Sequence, residues 1–111
     1  MSNSSLGAGQ IVTVFRSRLR PGVGAEYGPT AARMAELAST MPGYVDHKGF
    51  TADDGERVTI VTFADQASHD AWAAHPEHRA AQRAGRDRFY ASYQLQVSHV
   101  IRTSGHVAAD R

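Results

Sequence analysis

The chain has 111 residues, of which 41% are hydrophobic and 21% are charged, and its formal net charge is +1 at pH 7. That balance is typical of one small globular domain and argues against a disordered chain or a strongly nucleic-acid-seeking one. The absence of cysteine excludes disulfides, thiolate nucleophiles and cysteine metal ligands.

The first ten residues, Met1–Gln10, are rich in Ser and Gly and have neither a basic start nor an apolar run. They predict a flexible N-terminal tail rather than a targeting segment. No later window of the sequence has the apolar length of a membrane span. We therefore expect a cytoplasmic protein without a membrane partner.

A strand is expected over Ile11–Leu19, where β-branched and aromatic residues occupy both alternating faces. Turn residues end it at Arg20–Gly24, and apolar residues then recur at helical spacing from Tyr27 to Met41. Because proline suits a first helical turn but costs about 3 kcal/mol inside a helix, Pro29 places the regular helix from about Gly28 to Thr40.

Two strand-like runs, Tyr44–Thr51 and Arg57–Phe63, flank the turn signal Asp53-Asp54-Gly55, which predicts a β-hairpin. Period-2 alternation predicts a last strand over Ser92–Thr103. The remaining residues, 104–111, show no pattern and are interpreted as a C-terminal tail. The folded domain is therefore expected to span residues 11–103.

The stretch Ser68–Tyr90 contains the only tryptophan, three of the six histidines and the densest run of arginines. It predicts two helical pieces that meet at His75-Pro76, since the fixed φ of proline suits a first turn. In the second piece one stripe of residues is predicted to face the interior, and a neighbouring stripe, here called the wet stripe, is predicted to face solvent. The inward stripe is His78, Gln82, Gly85 and Phe89, and the wet stripe is Arg79, Arg83, Arg86 and Tyr90.

The order strand, helix, strand, strand, helix pair, strand predicts an α+β fold, the ferredoxin-like βαββαβ arrangement with a four-stranded antiparallel sheet. Two helices cover only one face of such a sheet, yet the first and third strands carry apolar residues on both faces. A second copy of the chain is the simplest cover, so we expect a homodimer through the sheet faces.

Several short motifs together resemble the antibiotic biosynthesis monooxygenase family. They are Ile11–Pro21, Arg33-Met34, Met41-Pro42-Gly43-Tyr44, Asp54–Arg57, Ala71-Trp72 and His75–Arg79. The resemblance covers roughly Gln10–Arg102 and implies a dimeric α+β barrel with a pocket between sheet and helices. It also implies chemistries that range from cofactor-free oxygenases of polyketide phenols and anthrones to heme-degrading oxygenases, small isomerases and signal-processing enzymes.

His75 and His78 are candidate general bases, because the unperturbed pKa of imidazole, about 6.5, permits proton abstraction at cellular pH. Trp72 is a candidate stacking wall for an aromatic substrate. The polar anchors would be Gln82 and Ser17, and the further substrate contacts Phe15 and Phe89. Structural alternatives are a helix-start or surface histidine, a core tryptophan and a partly buried helix glutamine.

Two other kinds of site are not favoured. The histidines at 69, 75 and 78 lack a carboxylate at a recognised ligand spacing, so no metal is expected. Acidic residues interleave the arginines at 79, 83, 86 and 88, and no aromatic platform accompanies them. A solvated or dimer-rim face explains them better than nucleic acid does.

The leading hypothesis is a small cofactor-independent monooxygenase that oxidises an aromatic or polyphenolic, anthrone-like molecule with O2. No cofactor is required, since the electrons come from the deprotonated substrate. One alternative is a heme-binding, heme-degrading monooxygenase, which the resemblance implies through Trp72. That branch has an iron-ligating histidine where this chain has Gln82, and a pocket asparagine where it has Ser17. Another alternative is a non-catalytic small-molecule-binding domain of the same fold.

Overall fold

The structure is a computed structural model that describes residues 8–109. Its elements in chain order are β1 (Ile11–Leu19), α1 (Gly24–Ser39), β2 (Tyr44–Thr51), β3 (Arg57–Phe63), α2 (Gln66–Ala74), α3 (Pro76–Ala84), a π-helical turn (Gly85–Phe89) and β4 (Tyr90–His99). The four strands are antiparallel in the order β2-β3-β1-β4. This confirms the predicted ferredoxin-like α+β fold. The predicted N-terminal tail lies largely outside the described residues.

The two faces of the sheet have different neighbours. On one face, here called the inner face, Val61 and Phe63 of β3 pack against α1 and α2. The register places residues of β1 with odd numbers on this face, because Ile11 lies opposite Phe63 and Thr13 opposite Val61. On the opposite side, the outer face, no helix formed by residues 8–109 packs against the sheet.

The buried core lies at one end of the inner face. Ala38, Phe63 and Trp72 form its centre, and the Phe63 and Trp72 rings stack with centroids 6.4 Å apart. Partly buried hydrophobic residues surround them: Met34, Leu37, Met41, Tyr44 and Val61. The core therefore joins α1 and α2 to the end of β3 and leaves the rest of the inner face less covered.

Helix α1 begins at Gly24, about four residues earlier than predicted, and contains Pro29. Proline there removes one i→i−4 hydrogen bond close to the start of the helix. The added turn carries Tyr27, whose ring packs edge-on against Phe89 at 5.6 Å and Tyr90 at 5.7 Å. This tertiary packing offsets the lost bond and explains why the helix starts before the proline.

Strand β4 runs from Tyr90 to His99, so it starts and ends earlier than the predicted 92–103. A bulge shifts its register against β1: Ser92 pairs with Arg18, but Tyr90 pairs with Leu19. Residues three apart in a regular strand face opposite sides, whereas the extra residue of a bulge reverses that relation. Tyr90 and Tyr93 consequently share the inner face.

Apolar residues of the sheet remain partly accessible. Phe50, on the outer face, is 51% exposed, and Leu95, on the inner face of β4, is 50% exposed. The other outer-face residues of this kind are half-buried: Val12, Val14, Val58 and Ile60. Within residues 8–109, no helix has the length and apolar composition needed to cross a bilayer.

The turn between α1 and β2 shows why α2 starts where it does. Gly43 has φ +81° and its carbonyl accepts a 2.7 Å hydrogen bond from the Ala64 N–H. A side chain at Gly43 would overlap Ser68, whose N–H and hydroxyl donate to the Asp65 carboxylate that caps α2, at 2.8 and 2.7 Å. A glycine in the turn thus permits the helix cap to lie against it.

We predict that Gly43→Ala destabilises the protein more than Gly22→Ala. Both glycines have φ +81°, but Gly22 has open space around it, so the pair separates crowding from backbone strain. Left-handed strain alone should cost Gly22→Ala about 1–2 kcal/mol, and displacement of Ser68 should add about 1 kcal/mol or more to Gly43→Ala. Urea unfolding measures both, and equal losses would contradict the packing of the turn against α2.

Candidate functional site

The junction of α2 and α3 positions the tryptophan and two histidines that the sequence singled out. Helix α2 ends at Ala74, and His75 lies between it and Pro76, the first residue of α3. The Nδ1 atom of His75 accepts a hydrogen bond from the Glu77 N–H at 3.1 Å. His75 is therefore the N-cap of α3, and the lone pair of its basic nitrogen is already engaged.

His78, one turn into α3, stacks on the indole of Trp72 with ring centroids 4.0 Å apart and an interplanar angle of 13°. Its Nδ1 lies 3.0 Å from the carbonyl oxygen of Trp72. A carbonyl only accepts, so this nitrogen carries the hydrogen and donates it. The Nε2 atom is then the unprotonated nitrogen of the neutral ring, which leaves it available as a base.

Burial lowers the pKa of His78, because a charged imidazolium loses hydration beside the indole. The hydrogen bond to the Trp72 carbonyl acts in the opposite direction, and the nearby His75 and His69 lower the pKa further. The net shift is downward from the usual 6.5. His78 is thus held neutral at physiological pH, the state in which it can take a proton.

Six of the seven predicted site residues lie in two regions along the inner face, and the seventh, Gln82, does not. Trp72, 7% exposed, and the half-buried His75 and His78 lie together at the core end of the inner face. Ser17, 3% exposed, lies at the far end of β1, opposite Tyr93 of β4. The remaining three are Phe15, which packs on Tyr90 and Tyr93, Phe89, which packs on Tyr27, and Gln82, which is exposed on α3.

Gln82 is exposed, although its position on the inward stripe predicted that it would be buried. Helix α3 ends at Ala84, and the π-helical turn over Gly85–Phe89 follows it. Within α3 the partly buried positions that follow His78 are Ala81 and Ala84, so the covered face runs through the i+3 neighbour of His78 and leaves Gln82, at i+4, in solvent. Gly85 and Phe89 are buried as predicted, whereas Gln82 is not. Tyr90, assigned to the wet stripe, is half-buried and belongs to β4.

Three tyrosines that the sequence analysis did not select form a second group, here called the tyrosine group: Tyr27, Tyr90 and Tyr93. The Tyr90 ring centroid lies 5.7 Å from that of Tyr27 and 5.8 Å from that of Tyr93. The guanidinium carbon of Arg57 lies 5.3 Å from the Tyr27 ring centroid, a cation–π contact. No local pattern links these residues, because the bulge in β4 and the early start of α1 bring them together.

Within the tyrosine group, the phenol of Tyr90 is a proton donor rather than a base. Burial raises the pKa of Tyr90 well above its usual value of 10.0, and its long hydrogen bond to the Tyr27 hydroxyl, 3.4 Å, raises it further. The Arg57 guanidinium lowers the pKa of Tyr90, but less strongly. The Tyr90 hydroxyl therefore keeps its hydrogen at neutral pH.

His47 was also missed. It is half-buried and lies opposite Val61, so it shares the inner face with the core. A register shift between Tyr44 and Asp46 places it there, and simple alternation from Tyr44 would have put it on the outer face.

Two cavities accompany these groups. One, of about 250 Å³, lies over the β2–β3 hairpin and includes Gly49, Thr51 and Arg57 in its lining. The other, of about 390 Å³, lies between α1 and α3, where Arg33 donates to both carboxylate oxygens of Glu77 at 2.7 and 3.1 Å. Neither is lined by Trp72 or His75. Among residues 8–109, no three His, Asp or Glu side chains converge as metal ligands.

Together these observations define a small ferredoxin-like α+β protein whose inner sheet face runs from a stacked indole and imidazole to a group of phenols. Residues 10–84 match the family model described as Antibiotic biosynthesis monooxygenase. The chain belongs to this family.

The uncharacterised protein YqjZ of Bacillus subtilis strain 168 is 36% identical to this chain over 76 residues, which are 68% of this chain and 67% of YqjZ. Among solved structures, SnoaB, a cofactor-independent oxygenase from Streptomyces nogalater, aligns with a TM-score of 0.72 at 22% identity and covers 86% of this chain and 97% of its own. Rv0793 of Mycobacterium tuberculosis aligns with a TM-score of 0.76 at 12% identity, with 86% and 99% covered.

A heme ligand set does not fit the residues present. The position at which the heme-degrading branch is expected to carry its axial histidine is Gln82, whose side chain is exposed on α3. A neutral amide oxygen is a poor replacement for imidazole at iron. The imidazole of His78 is stacked against Trp72 with one nitrogen bonded to a carbonyl, so an iron ligand would have to replace that packing.

We predict that NMR titration of the histidine ring resonances finds His78 as the Nδ1–H tautomer, with a pKa below the usual 6.5. The unfolded chain then binds more protons than the folded one as pH falls below 6.5. This contribution to stability is complete above pH 6.5 and is lost as pH decreases through the folded-state pKa.

Accordingly, His78→Phe should flatten the fall in unfolding free energy between about pH 7.5 and 5, and His106→Phe, at an exposed position, should not. A pKa at or above 6.5, or an Nε2–H tautomer, would contradict the stacked and hydrogen-bonded arrangement of His78.

Proposed function

We propose that this protein is a small cofactor-independent monooxygenase that oxidises an aromatic or polyphenolic, anthrone-like molecule with O2. The observation that carries the proposal is His78: a neutral imidazole with a free Nε2, held against an indole beside the inner sheet face. Family membership and the fold shared with SnoaB, described as a cofactor-independent oxygenase, support it.

Proton removal is the step that this chain's own residues would perform. The methylene of an anthrone is acidic because the carbanion delocalises into the phenolate-like oxygen and flanking rings. His78 accepts that proton at Nε2 as general base. Trp72 and Phe63 form the buried apolar packing behind it, and a site with little water strengthens any polar contact to the developing oxyanion.

Oxygen then reacts with the carbanion, which is its reductant. One electron passes from the carbanion to O2, the two radicals combine to form a C–O bond, and the resulting peroxide anion takes back from His78 the proton that the base removed. Loss of water across the C–H and O–O bonds gives the carbonyl. In total the methylene loses four electrons, and O2 gains four as one carbonyl oxygen and one water. The substrate thus supplies every electron, and the protein supplies a base, apolar surroundings that exclude water, and the orientation of the substrate.

The two candidate bases differ in what their nitrogens can do. His75 uses its Nδ1 lone pair as the N-cap of α3, whereas the Nε2 lone pair of His78 is free. We therefore assign the base to His78 and a positioning role to His75. Trp72, which stacks on His78 and Phe63, supports the ring of the base instead of stacking on the substrate. Ser17, Phe15 and Phe89 belong to the distant part of the inner face, and the exposed Gln82 has no role in the proposal.

Oxygen uptake with anthrone as substrate tests this assignment. His78→Phe keeps an aromatic ring on Trp72 but has no basic nitrogen, and its kcat should fall by about 10²-fold or more. His75→Asn keeps a side-chain acceptor for the Glu77 N–H, so it should retain most activity. Unchanged turnover in His78→Phe, with the fold verified by circular dichroism, would overturn the proposed role of His78.

We propose in addition that two chains associate through the outer faces of their sheets. The outer face carries Val12, Val14, Val58 and Ile60 on its central strands, without a helix to cover them. Charged pairs lie at its hairpin end, where Arg16 and Arg18 bond Glu56 and Asp54 at 2.9 and 2.7 Å. An apolar centre with a polar rim is the usual anatomy of a protein interface.

Light scattering coupled to size exclusion should give twice the chain mass of 12.0 kDa. Ile60→Glu places a charge at the centre of the outer face and should shift the protein toward the monomer, because a buried unpaired carboxylate costs several kcal/mol. Ala32→Glu, on the exposed side of α1, is the matched control and should leave the mass unchanged. A wild-type monomer at micromolar concentration would refute the dimer.

A further inference from the structure

One row of polar side chains crosses the whole inner face at the hairpin end of the sheet. The register places Thr51 of β2 opposite Arg57 of β3, Arg57 opposite Ser17 of β1, and Ser17 opposite Tyr93 of β4. Directly paired residues of antiparallel strands project to the same side. Two hydroxyls, a guanidinium and a phenol thus form a line across all four strands, here called the polar row.

The polar row offers hydrogen-bond donors and positive charge but no negative charge. It contains a permanent positive charge and three hydroxyl donors, and it contains no carboxylate. Arg16, Arg18, Arg33 and Arg88 each lie within 3.1 Å of a carboxylate oxygen, whereas Arg57 has no ion-pair partner among residues 8–109. The contact that holds Arg57 is its cation–π packing over Tyr27, which leaves the N–H donors of the guanidinium available.

Space for a ligand lies beside the polar row. The next row inward begins with Gly49, opposite Thr59, and a glycine leaves that part of the face without a side chain. The 250 Å³ cavity at the hairpin end is lined by both of these residues, by Thr51 and Arg57, and by Phe50 and Val58 of the intervening outer-face positions. A donor-rich row with a cavity next to it matches an anionic oxygen group, and the planar fork of arginine matches a carboxylate in particular.

The distance to the proposed base fits the same substrate. Six residues along β3 separate Arg57 from Phe63, which stacks on Trp72, so the two ends of the inner face are about 20 Å apart along the backbone at 3.3 Å per residue. The intervening surface is largely apolar and includes Phe15, Val61 and Leu95. Such a surface suits fused rings rather than a single ring.

We propose that the polar row is a recognition site for a carboxylate on a polycyclic aromatic substrate, with Arg57 as its specificity-determining residue. This inference rests on the proposed function for the aromatic nature of the ligand, and it adds the acidic group and the residue that selects it. Arg57 forms the charged contact, and the exposed hydroxyl of Thr51, which also lines the cavity, supplies a further donor beside it. The far end of the ring system then lies toward Trp72 and His78.

The test compares anthracene-2-carboxylate with anthracene-2-carboxamide by isothermal titration calorimetry. The wild-type protein should bind the acid about tenfold more tightly, the difference expected between a charged and a neutral hydrogen bond, and the preference should weaken at high salt. Arg57→Gln should reduce the ratio to about one, whereas Arg57→Lys should retain part of it. Arg16→Gln, next to it on the outer face, should keep the full preference.

Each other result overturns the inference. Equal binding of acid and amide by the wild-type protein, or a preference that survives in Arg57→Gln, removes Arg57 from recognition, and absence of binding by both probes removes the site. Oxygen uptake with anthrone, which has no acidic group, separates this failure from that of the proposed function. Turnover of anthrone without acid preference leaves the monooxygenase proposal standing, and acid preference without turnover leaves the binding site standing.

Discussion

The carbonyl oxygen of Trp72 is the atom on which the core end of the molecule depends. It lies at the C-terminus of α2 and accepts hydrogen bonds from the His75 N–H at 3.1 Å and from Nδ1 of His78 at 3.0 Å. Helix termini leave carbonyls that must find donors, and here the following helix supplies them. The hydrogen bond from His78 sets the tautomer of its ring and holds the ring against the indole. Burial there lowers the pKa of His78, so the requirement for a donor at the helix end also favours a neutral imidazole.

The sheet imposes the second constraint, because its two faces and its two ends differ. Along the inner face, apolar residues separate the stacked Trp72 and His78 from the polar row that contains Arg57. The imidazole proposed as the base and the guanidinium proposed to bind an anion are thus held on one rigid surface, an arrangement that could orient a substrate. Among the described residues no helix covers the apolar side chains of the outer face, and this supports the proposed association of two chains.

Several features could be predicted from local residues. Asp53-Asp54-Gly55 defined both strands of the hairpin, and Pro76 located the break between α2 and α3. These signals act within a few residues of the backbone, where turn geometry and proline stereochemistry dominate. The prediction that Gln82 faces inward was wrong, because the orientation of a helix face depends on contacts between distant segments. The assignment chose the i+4 neighbour of His78, whereas the partly buried positions that follow His78 in α3 are Ala81 and Ala84, a choice that packing against distant segments decides.

By itself, the sequence determined the order of the elements, the antiparallel sheet, the family and the stretch that contains Trp72, His75 and His78. Only the tertiary structure decided which histidine has a free nitrogen, since both lie within one short segment and differ solely in their hydrogen-bond partners. It also decided that Tyr27, Arg57, Tyr90 and Ser17 share one end of the inner face. Strand register and a bulge bring these residues together, and both arise from pairing between segments distant in the chain.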